Sequence, residues 1–430
     1  MTAEDTTSNG MEKIISLAKR RGFIYQGSEI YGGLAGTWDY GPMGAALKRN
    51  ITDLWWKRFV EERSDMYGMD TAIIMPEAVW RASGHLEGFA DPMVECVKCK
   101  HRFRADTLTD TATCPDCGGA LGEPKMFNLL FPVSMGSTAG SGTTGYLRGE
   151  IAQGMFVNFK NIIDTFHPDI PFGIAQYGKA FRNEIAPRDF LFRIREFNLM
   201  EFEYFIRKSE WERWFEYWRE EMWQWMDAIG LSREHIHELE VPDDERAHYS
   251  KRTIDFEYDY PFGRKELYGL AYRTDYDLSR HTEASAIDLS YYDQEKNERF
   301  IPHVIEPTFG IDRTVLALLS DAYAEEDAPT ADGGMETRVV MKFNKKVAPV
   351  QAAILPLMRK DDLMNGAKAI FDALKKDFRV QYDETASIGK RYRRQDEIGT
   401  PYCITFDYDS LSDEKVTVRD RDTMEQKRVF

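Results

Sequence analysis

The spacing Cys96-x-x-Cys99, followed after 14 residues by Cys114-x-x-Cys117, constrains this chain more than any other feature. Two thiolate pairs on two short knuckles close a tetrahedral Zn²⁺ site. Four cysteine ligands leave no open coordination position, so a metal on Cys96, Cys99, Cys114 and Cys117 is expected to be structural and not catalytic. Gly118 and Gly119 supply the tight turn after the second knuckle, and His101 is a substitute ligand. Four of the five cysteines fall within 22 residues, which is not how a disulfide framework is spread. The fifth, Cys403 in the apolar run TPYCITFDY, reads as a buried thiol. Residues 93 to 125 are therefore expected to form a zinc-ribbon-like insertion between two ordinary segments.

The 430 residues, 43% hydrophobic and 30% charged, exceed one ordinary core and are too apolar for a disordered chain. A net charge of -16 argues against a general DNA coater and leaves nucleic-acid contact only to local basic clusters. No apolar run approaches the roughly 20 residues needed to cross a bilayer. The polar opening MTAEDTTSNG lacks the apolar segment of a leader, so a cytoplasmic protein with no membrane contact and a disordered tail at 1–10 is expected.

MEKIISLAKRRGF reads as a short amphipathic helix. From Pro42, Leu47, Ile51, Leu54, Trp55 and Phe59 recur at helical spacing and predict a helix over 42–62, then a strand, TAIIM, ending at Pro76. The stretch GSTAGSGTTG at 136–145 lacks the G-K-[S/T] ending of a phosphate-binding loop and reads as a flexible loop. Ser209 and Glu212 form a capping-box pattern ahead of Trp211, Trp214, Trp218, Met222, Trp225 and Ile229, a one-faced stripe that belongs in a core. Alternating segments FRIREFNLMEFEYFI, TIDFEYDYPF, KELYGLAYRTDYDL and RFIPHVIEP predict an antiparallel sheet. The polar, aperiodic stretch EEDAPTADGGMET places a boundary at 325–340. Beyond it strand and helix alternate, so the chain is expected to be α+β with a C-terminal α/β domain.

Two further patterns carry chemistry. In AFRNE, Arg182 and Glu184 would alternate onto one face of a strand and converge on one ligand, although a surface ion-pair ladder is the commoner reason for that spacing taken alone. In EPTFGIDR, Glu306 ends a strand, Gly310 opens the backbone and Arg313 begins a helix, an arrangement suited to a polyphosphate. Helix, strand and Pro76, then FRNE, then GIDR together resemble the three signature motifs of class II aminoacyl-tRNA synthetases. The class I signatures HIGH and KMSKS are absent. The stretches GSEIYGGLAGTWDYGPMG, SGH with FADPM, AQGMFVNFKN, GIAQYGKAFRNE, RTDYDLSRHT, IPHVIEP, IGKRYRRQDEIGTP and VTVRDRDTMEQ resemble the glycyl-tRNA synthetases of the dimeric type, over residues 11 to 430.

That resemblance implies a class II antiparallel sheet flanked by helices, with a catalytic domain at 11–335, an anticodon-binding domain at 340–430 and a homodimer formed through the helix at 42–62. It implies ATP with Mg²⁺, a structural zinc, glycine, and tRNA(Gly) as the acceptor. Arg182 would contact the α-phosphate, Glu184 the adenine amino group and Arg313 the γ-phosphate, with Phe197 stacked on the base. The stretches that match ATP-binding positions comprise Arg182, Asn183 and Glu184; Phe192, Arg193, Ile194, Arg195, Glu196 and Phe197; Glu266 and Leu267; and Gly310, Ile311, Asp312 and Arg313. Those that match glycine-binding positions comprise Arg104 and Glu150; Phe197, Asn198, Leu199, Met200 and Glu201; and Glu306, Pro307, Thr308, Phe309 and Gly310. Glu150, Glu201 and Glu306 match the carboxylates that hold the ammonium. A buried carboxylate trio is costly without a cation, which fits such a ligand.

The chain departs from the family pattern at Ile151, Leu199 and Thr308, where RPETAQG, FEQME and EPS are usual. Lys390, Arg391, Arg393 and Arg394 gather in GKRYRRQDE and match a domain that binds the anticodon, so tRNA phosphates are their expected partners. Sequence ends at KRVF, where the family continues into a final helix. Two other readings stay open: a non-catalytic synthetase-like nucleic-acid-binding protein, and a ligase that loads an amino acid onto a carrier other than tRNA.

Overall fold

Alternating apolar and polar residues give a strand two distinct faces, and seven such strands build the central sheet of the computed structural model, which describes residues 3–136, 142–329 and 333–430. The strands are β1 (Met66–Gly68), β2 (Phe172–Phe181), β3 (Glu196–Ile206), β4 (Ile236–Glu240), β5 (Arg252–Tyr260), β6 (Gly263–Thr274) and β7 (His303–Gly310). They lie in the order β4-β5-β6-β7-β3-β2-β1, all antiparallel except β1 beside β2. The longer helices of this part are α1 (Ala3–Arg20), α2 (Pro42–Trp56), α3 (Ala152–Phe166), α4 (Trp211–Ile229), α5 (Tyr276–Ser285) and α6 (Ile311–Ala322).

Along β3 the two faces separate cleanly. Met200, Phe202, Tyr204 and Ile206 enter the main core with Phe215, Trp218, Met222 and Trp225 of α4. Leu199 and Phe205 belong to apolar clusters on the opposite face, where Glu201 and Glu203 also lie by strand alternation. The expected aromatic stripe is therefore core, with Trp211 and Trp214 at its partly buried margin. Ser209 makes no cap: it lies in a 3₁₀ turn, Lys208–Glu210, and Glu210 precedes the helix without a side-chain capping bond.

Other local expectations are modified by packing. The first helix begins at Ala3 instead of residue 11, with Met1 and Thr2 outside the described residues. Helix α2 continues from Trp56 into a π-helical turn, Lys57–Glu61. Of TAIIM only Ile74–Pro76 is extended with its proline, and it pairs with Thr143–Leu147. The glycine-rich loop at 136–145 lies partly in that strand, while 137–141 fall outside the described residues. Glu306 does not end a strand, because β7 runs on to Gly310. In the polar stretch at 325–340, Tyr323–Pro329 pairs antiparallel with Met335–Met341, and residues 330–332 lie outside the described residues. Its polarity is used within the fold: Arg338, wholly buried, pairs with Glu326 and with Asp396.

The C-terminal domain has strands β8 (Ala352–Pro356), β9 (Val380–Tyr382), β10 (Tyr402–Phe406), β11 (Val416–Asp420) and β12 (Gln426–Val429), with helices α7 (Asp361–Leu374) and α8 (Ile388–Ile398). The sheet order is β9-β8-β10-β11-β12, parallel through β8 and antiparallel beyond β10. Asn50 of α2 donates to the carbonyls of Val347 and Ala348, and so ties this domain to the first. No helix of the described residues is long and apolar enough to cross a membrane.

Candidate active site

The face of the central sheet away from α4 carries a cavity of about 420 Å³. At one end the expected phosphate and base ligands meet. Strand β2 stops at Phe181, so Arg182 and Glu184 follow the strand and do not alternate along it. The Arg182 guanidinium lies between the rings of Phe89 and Phe197, 5.0 and 5.2 Å from their centroids, and donates to the Gly149 carbonyl. Glu184 Oε2 faces Arg193 Nη1 at 3.6 Å, beyond hydrogen-bond reach, and both atoms are buried without a partner among the described residues. An unmet donor and acceptor side by side are fitted to the edge of a polar ring. Arg313, in the first turn of α6, lies over the Phe192 ring at 4.3 Å and pairs with the Glu266 carboxylate at 3.0 Å. Arg313 holds the Glu266 carboxyl below its ordinary range. Asp255, which sequence reasoning missed, also lines this end, and burial followed by Glu266 and Glu257 pushes its carboxyl up to about 7.

At the other end Glu150, Glu201, Glu306 and Thr308 line the cavity. Arg273, a second residue missed in the sequence, is fully buried beneath them. It donates to Glu306 at 2.7 Å and grips Asp277 through two nitrogens. Glu150 accepts from His85 at 3.1 Å and from Gln153 at 2.9 Å, and Thr308 donates to Glu201 at 2.8 Å. Burial raises the Glu201 carboxyl well above its ordinary range, with Glu306 and Glu150 adding to the rise. Glu306 is pushed up to about 7 by burial against the pull of Arg273. Burial also opposes ionisation of Glu150, but His85 and Arg273 outweigh it and hold that carboxyl low. The motifs are linked at the cavity wall by Asp312, which accepts from Tyr40 and from the Asn198 backbone, while Lys48 of α2 donates to the Asn198 side chain.

Several expected residues lie elsewhere. Met200 and Phe309 point into the core on the far side of the sheet, and Ile311 is buried in the same core. Pro307, between Glu306 and Thr308, lies outside the cavity wall, as does Asn183, whose amide donates to Leu129. Arg195 is spent on the carbonyls of Glu184 and Ala35, and Glu196 on Lys179. Arg104 is in the insertion sheet, paired with Asp91 and Asp106 and not on the cavity wall. The basic run of α8 is also not a free phosphate surface. Arg391 is buried on the carbonyls of Pro356 and Ala386, Arg393 pairs with Glu336 and Arg394 with Asp383, which leaves Lys390 exposed.

In the insertion, strands Ala90–Glu95, Arg102–Arg104 and Lys125–Asn128 form a three-stranded sheet. The sulfurs of Cys96 and Cys117 are 3.6 Å apart, those of Cys99 and Cys114 3.7 Å, and the Cys99 amide donates to the Cys96 sulfur. These separations fit a tetrahedral S₄ set with Zn–S bonds of about 2.3 Å. His101 is bonded to Asp116 at 2.6 Å and not to the cluster. Cys403 is buried, and burial pushes its thiol up to about 12.

The family described as tRNA synthetase class II core domain (G, H, P, S and T) matches residues 145–322, and the anticodon binding domain family matches 351–430. The glycine-tRNA ligase of Thermobifida fusca is 48% identical over 98% of this chain and 96% of its own length. That of Geobacillus thermodenitrificans is 50% identical over 100% and 97%. A solved structure of Giardia lamblia prolyl-tRNA synthetase in complex with prolyl-adenylate superposes with a TM-score of 0.69 at 16% identity, covering 99% of this chain and 75% of that one, a likeness of fold. With relatives this similar over nearly its whole length, the chain belongs to the glycine-tRNA ligase family of class II aminoacyl-tRNA synthetases.

Proposed function

We propose that this cavity joins glycine to ATP and passes the glycyl group to the terminal adenosine of tRNA(Gly). The observation that carries this reading is the placement in one cavity of Arg182, Phe197, Glu266 and Arg313 at one end and Glu150, Glu201 and Glu306 at the other. The glycine carboxylate attacks the α-phosphorus, a new P–O bond forms and pyrophosphate leaves. A ribose hydroxyl of the tRNA then attacks the glycyl carbonyl and AMP departs. The first attack needs no protein base, since the carboxylate is already ionised. It needs charge stabilisation and positioning. Arg182 meets the α-phosphate, Arg313 the γ-phosphate, Glu184 the adenine amino group, and Phe197 stacks on the base.

The carboxylates of Glu266 and Asp255 suit a hard cation at the phosphate end, where Mg²⁺ would neutralise phosphate charge. Zinc on Cys96, Cys99, Cys114 and Cys117 would fix the insertion and take no part in the chemistry. We read residues 11–335 as the catalytic unit and 340–430 as the anticodon-binding unit, with Lys390 as its available cation on α8. Two copies pair through α2.

Glycine-dependent ATP–pyrophosphate exchange without tRNA tests the activation step, with alanine and serine as competitors and Arg182→Ala as control. Exchange with glycine alone, lost in the variant, is expected. Absence of exchange with every amino acid from folded, zinc-loaded protein would sink the reading. Sedimentation at an apparent mass near twice 49.8 kDa is expected for the dimer, and a stable monomer would count against it.

A further inference from the structure

Strand β3 outruns β7. The last pair between them joins Leu199 to Gly310, where β7 gives way to α6, while β2 stays paired with β3 through Asn198, Phe197 and Glu196. The buried Asn198 amide on that side has lost its strand neighbour and needs another acceptor. Asp312, in the first turn of α6 and 3% exposed, supplies one: a carboxyl oxygen accepts from the Asn198 backbone. The same oxygen accepts from the Asn198 side chain at 3.2 Å, and the other accepts from the Tyr40 hydroxyl.

Asn198 is also held from its other end. Lys48 donates to its side-chain oxygen at 2.8 Å and lies 4.9 Å from the centre of the Tyr40 ring. Only one orientation of the amide meets the cation with its oxygen and the carboxylate with its nitrogen. The short strand Trp38–Tyr40, α2, β3 and α6 are thereby tied together at one point. Both oxygens of Asp312 are taken by protein donors, and a carboxylate facing a triphosphate would repel it, so the use of Asp312 lies in what it holds.

It holds two ends of one ligand site. Phe197 precedes Asn198 on β3, and Arg313 follows Asp312 in α6. A bond between Asn198 and Asp312 therefore fixes the spacing between the Phe197 ring, which carries Arg182 at 5.2 Å, and the Arg313 guanidinium, which pairs with Glu266 at 3.0 Å. A ligand that reaches from a base to a γ-phosphate depends on that spacing, and one that stops at the α-phosphate does not.

We propose that Asp312 is a positioning residue that, with Lys48 and Tyr40 and through Asn198, sets the span from Phe197 to Arg313 and so gives ATP a grip that AMP lacks. This rests on the reading of the cavity as the site of ATP-dependent glycine activation. The substrate is then held at both ends, and the AMP left after transfer is held at one.

The test is titration calorimetry with ATP and with AMP on the full chain, for wild type, Asp312→Ala, Asp312→Asn, Arg313→Ala and the double variant Asp312→Ala with Arg313→Ala. Asp312→Ala is expected to weaken ATP by at least about tenfold, the scale of one charge-assisted hydrogen bond, and AMP by no more than about twofold. Because Asp312 acts through Arg313, the double variant is expected to bind ATP within about twofold of Arg313→Ala alone. Asp312→Asn keeps the shape and one acceptor oxygen, so it is expected to fall between wild type and Asp312→Ala, and it decides the matter if the alanine variant does not fold. ATP affinity equal to wild type in a folded Asp312 variant would overturn the proposal. So would equal losses for ATP and AMP, or losses from Asp312→Ala and Arg313→Ala that simply add. Wild type that binds ATP and yet shows no glycine-dependent ATP–pyrophosphate exchange would instead overturn the function on which the proposal rests, a separate result because binding is read without turnover.

Discussion

Ile151 and Leu199 pack together in a buried apolar cluster with Ala180, and Phe197 lies against it. Both stand where the family pattern carries polar residues, so the two departures answer one another. Ile151→Thr or Leu199→Gln alone places an unmet polar group against an apolar partner and is expected to cost about 1–3 kcal/mol. The double variant is expected to be more stable than the sum of the two losses by about 1 kcal/mol. Urea unfolding of the four proteins measures the coupling, and strict additivity would show that the two positions are independent.

Glu306 links the pocket to pH. Its carboxyl is pushed up to about 7 in the folded protein from an ordinary value of 4.5, first by burial. The folded state therefore binds the proton more tightly than the unfolded chain. The stability this confers is fully present below about pH 4.5 and is lost as pH rises through about 7. Glu306→Gln cannot lose it. The stability of the variant relative to wild type is thus expected to rise between pH 4.5 and 7 by about 3 kcal/mol, the free energy of the cited shift. Denaturant unfolding at several pH values reads the difference, and a pH-independent difference would mean that Glu306 titrates normally.

The sequence exposes what depends on local pattern. The stripe from Trp218 to Ile229 followed from helical spacing, and the four cysteines from a spacing that serves little else. What it hid depends on which strands become neighbours. Arg273 is a single charge in a strand-like run, and only the placement of β6 beside β7 puts its guanidinium on Glu306. Glu203 was within reach of alternation, since it shares a face with Glu201, but no local pattern says that both its oxygens lack partners among the described residues. The run EEDAPTADGGMET reads as a domain boundary because it is polar and aperiodic, whereas Glu326 within it meets Arg338 across two paired strands.

The four-cysteine cluster is expected to act through architecture. Arg104, paired with Asp91, is held on the same small sheet whose knuckles carry the cysteines, and its guanidinium is raised by Asp106 first, with Glu184 also contributing. Cys99→Ser is expected to abolish stoichiometric zinc and to loosen residues 90–128 in hydrogen exchange while the central sheet stays protected. KM for ATP is expected to rise by only about threefold to tenfold, because none of the four cysteines lines the cavity. Metal analysis together with exchange mapping checks this, and unfolding of the whole chain in the variant would show that the insertion is not a separate unit.

The basic run of α8 offers the sharpest contrast between charge counted in a sequence and charge in a fold. Arg391 is 2% exposed and its guanidinium is used up on backbone carbonyls, whereas Lys390 beside it is exposed. Removing Arg391 leaves those carbonyls unmet and opens a cavity, so Arg391→Ala is expected to destabilise the protein by about 2–4 kcal/mol. At a temperature where the variant stays folded, its KM for tRNA is expected to match wild type. Lys390→Ala is expected to leave stability within about 0.5 kcal/mol of wild type and to weaken tRNA binding, with a shallower salt dependence. Thermal unfolding and tRNA titration at several salt concentrations separate the two roles. If Arg391→Ala weakened tRNA binding and left stability untouched, the buried placement of its guanidinium would be wrong.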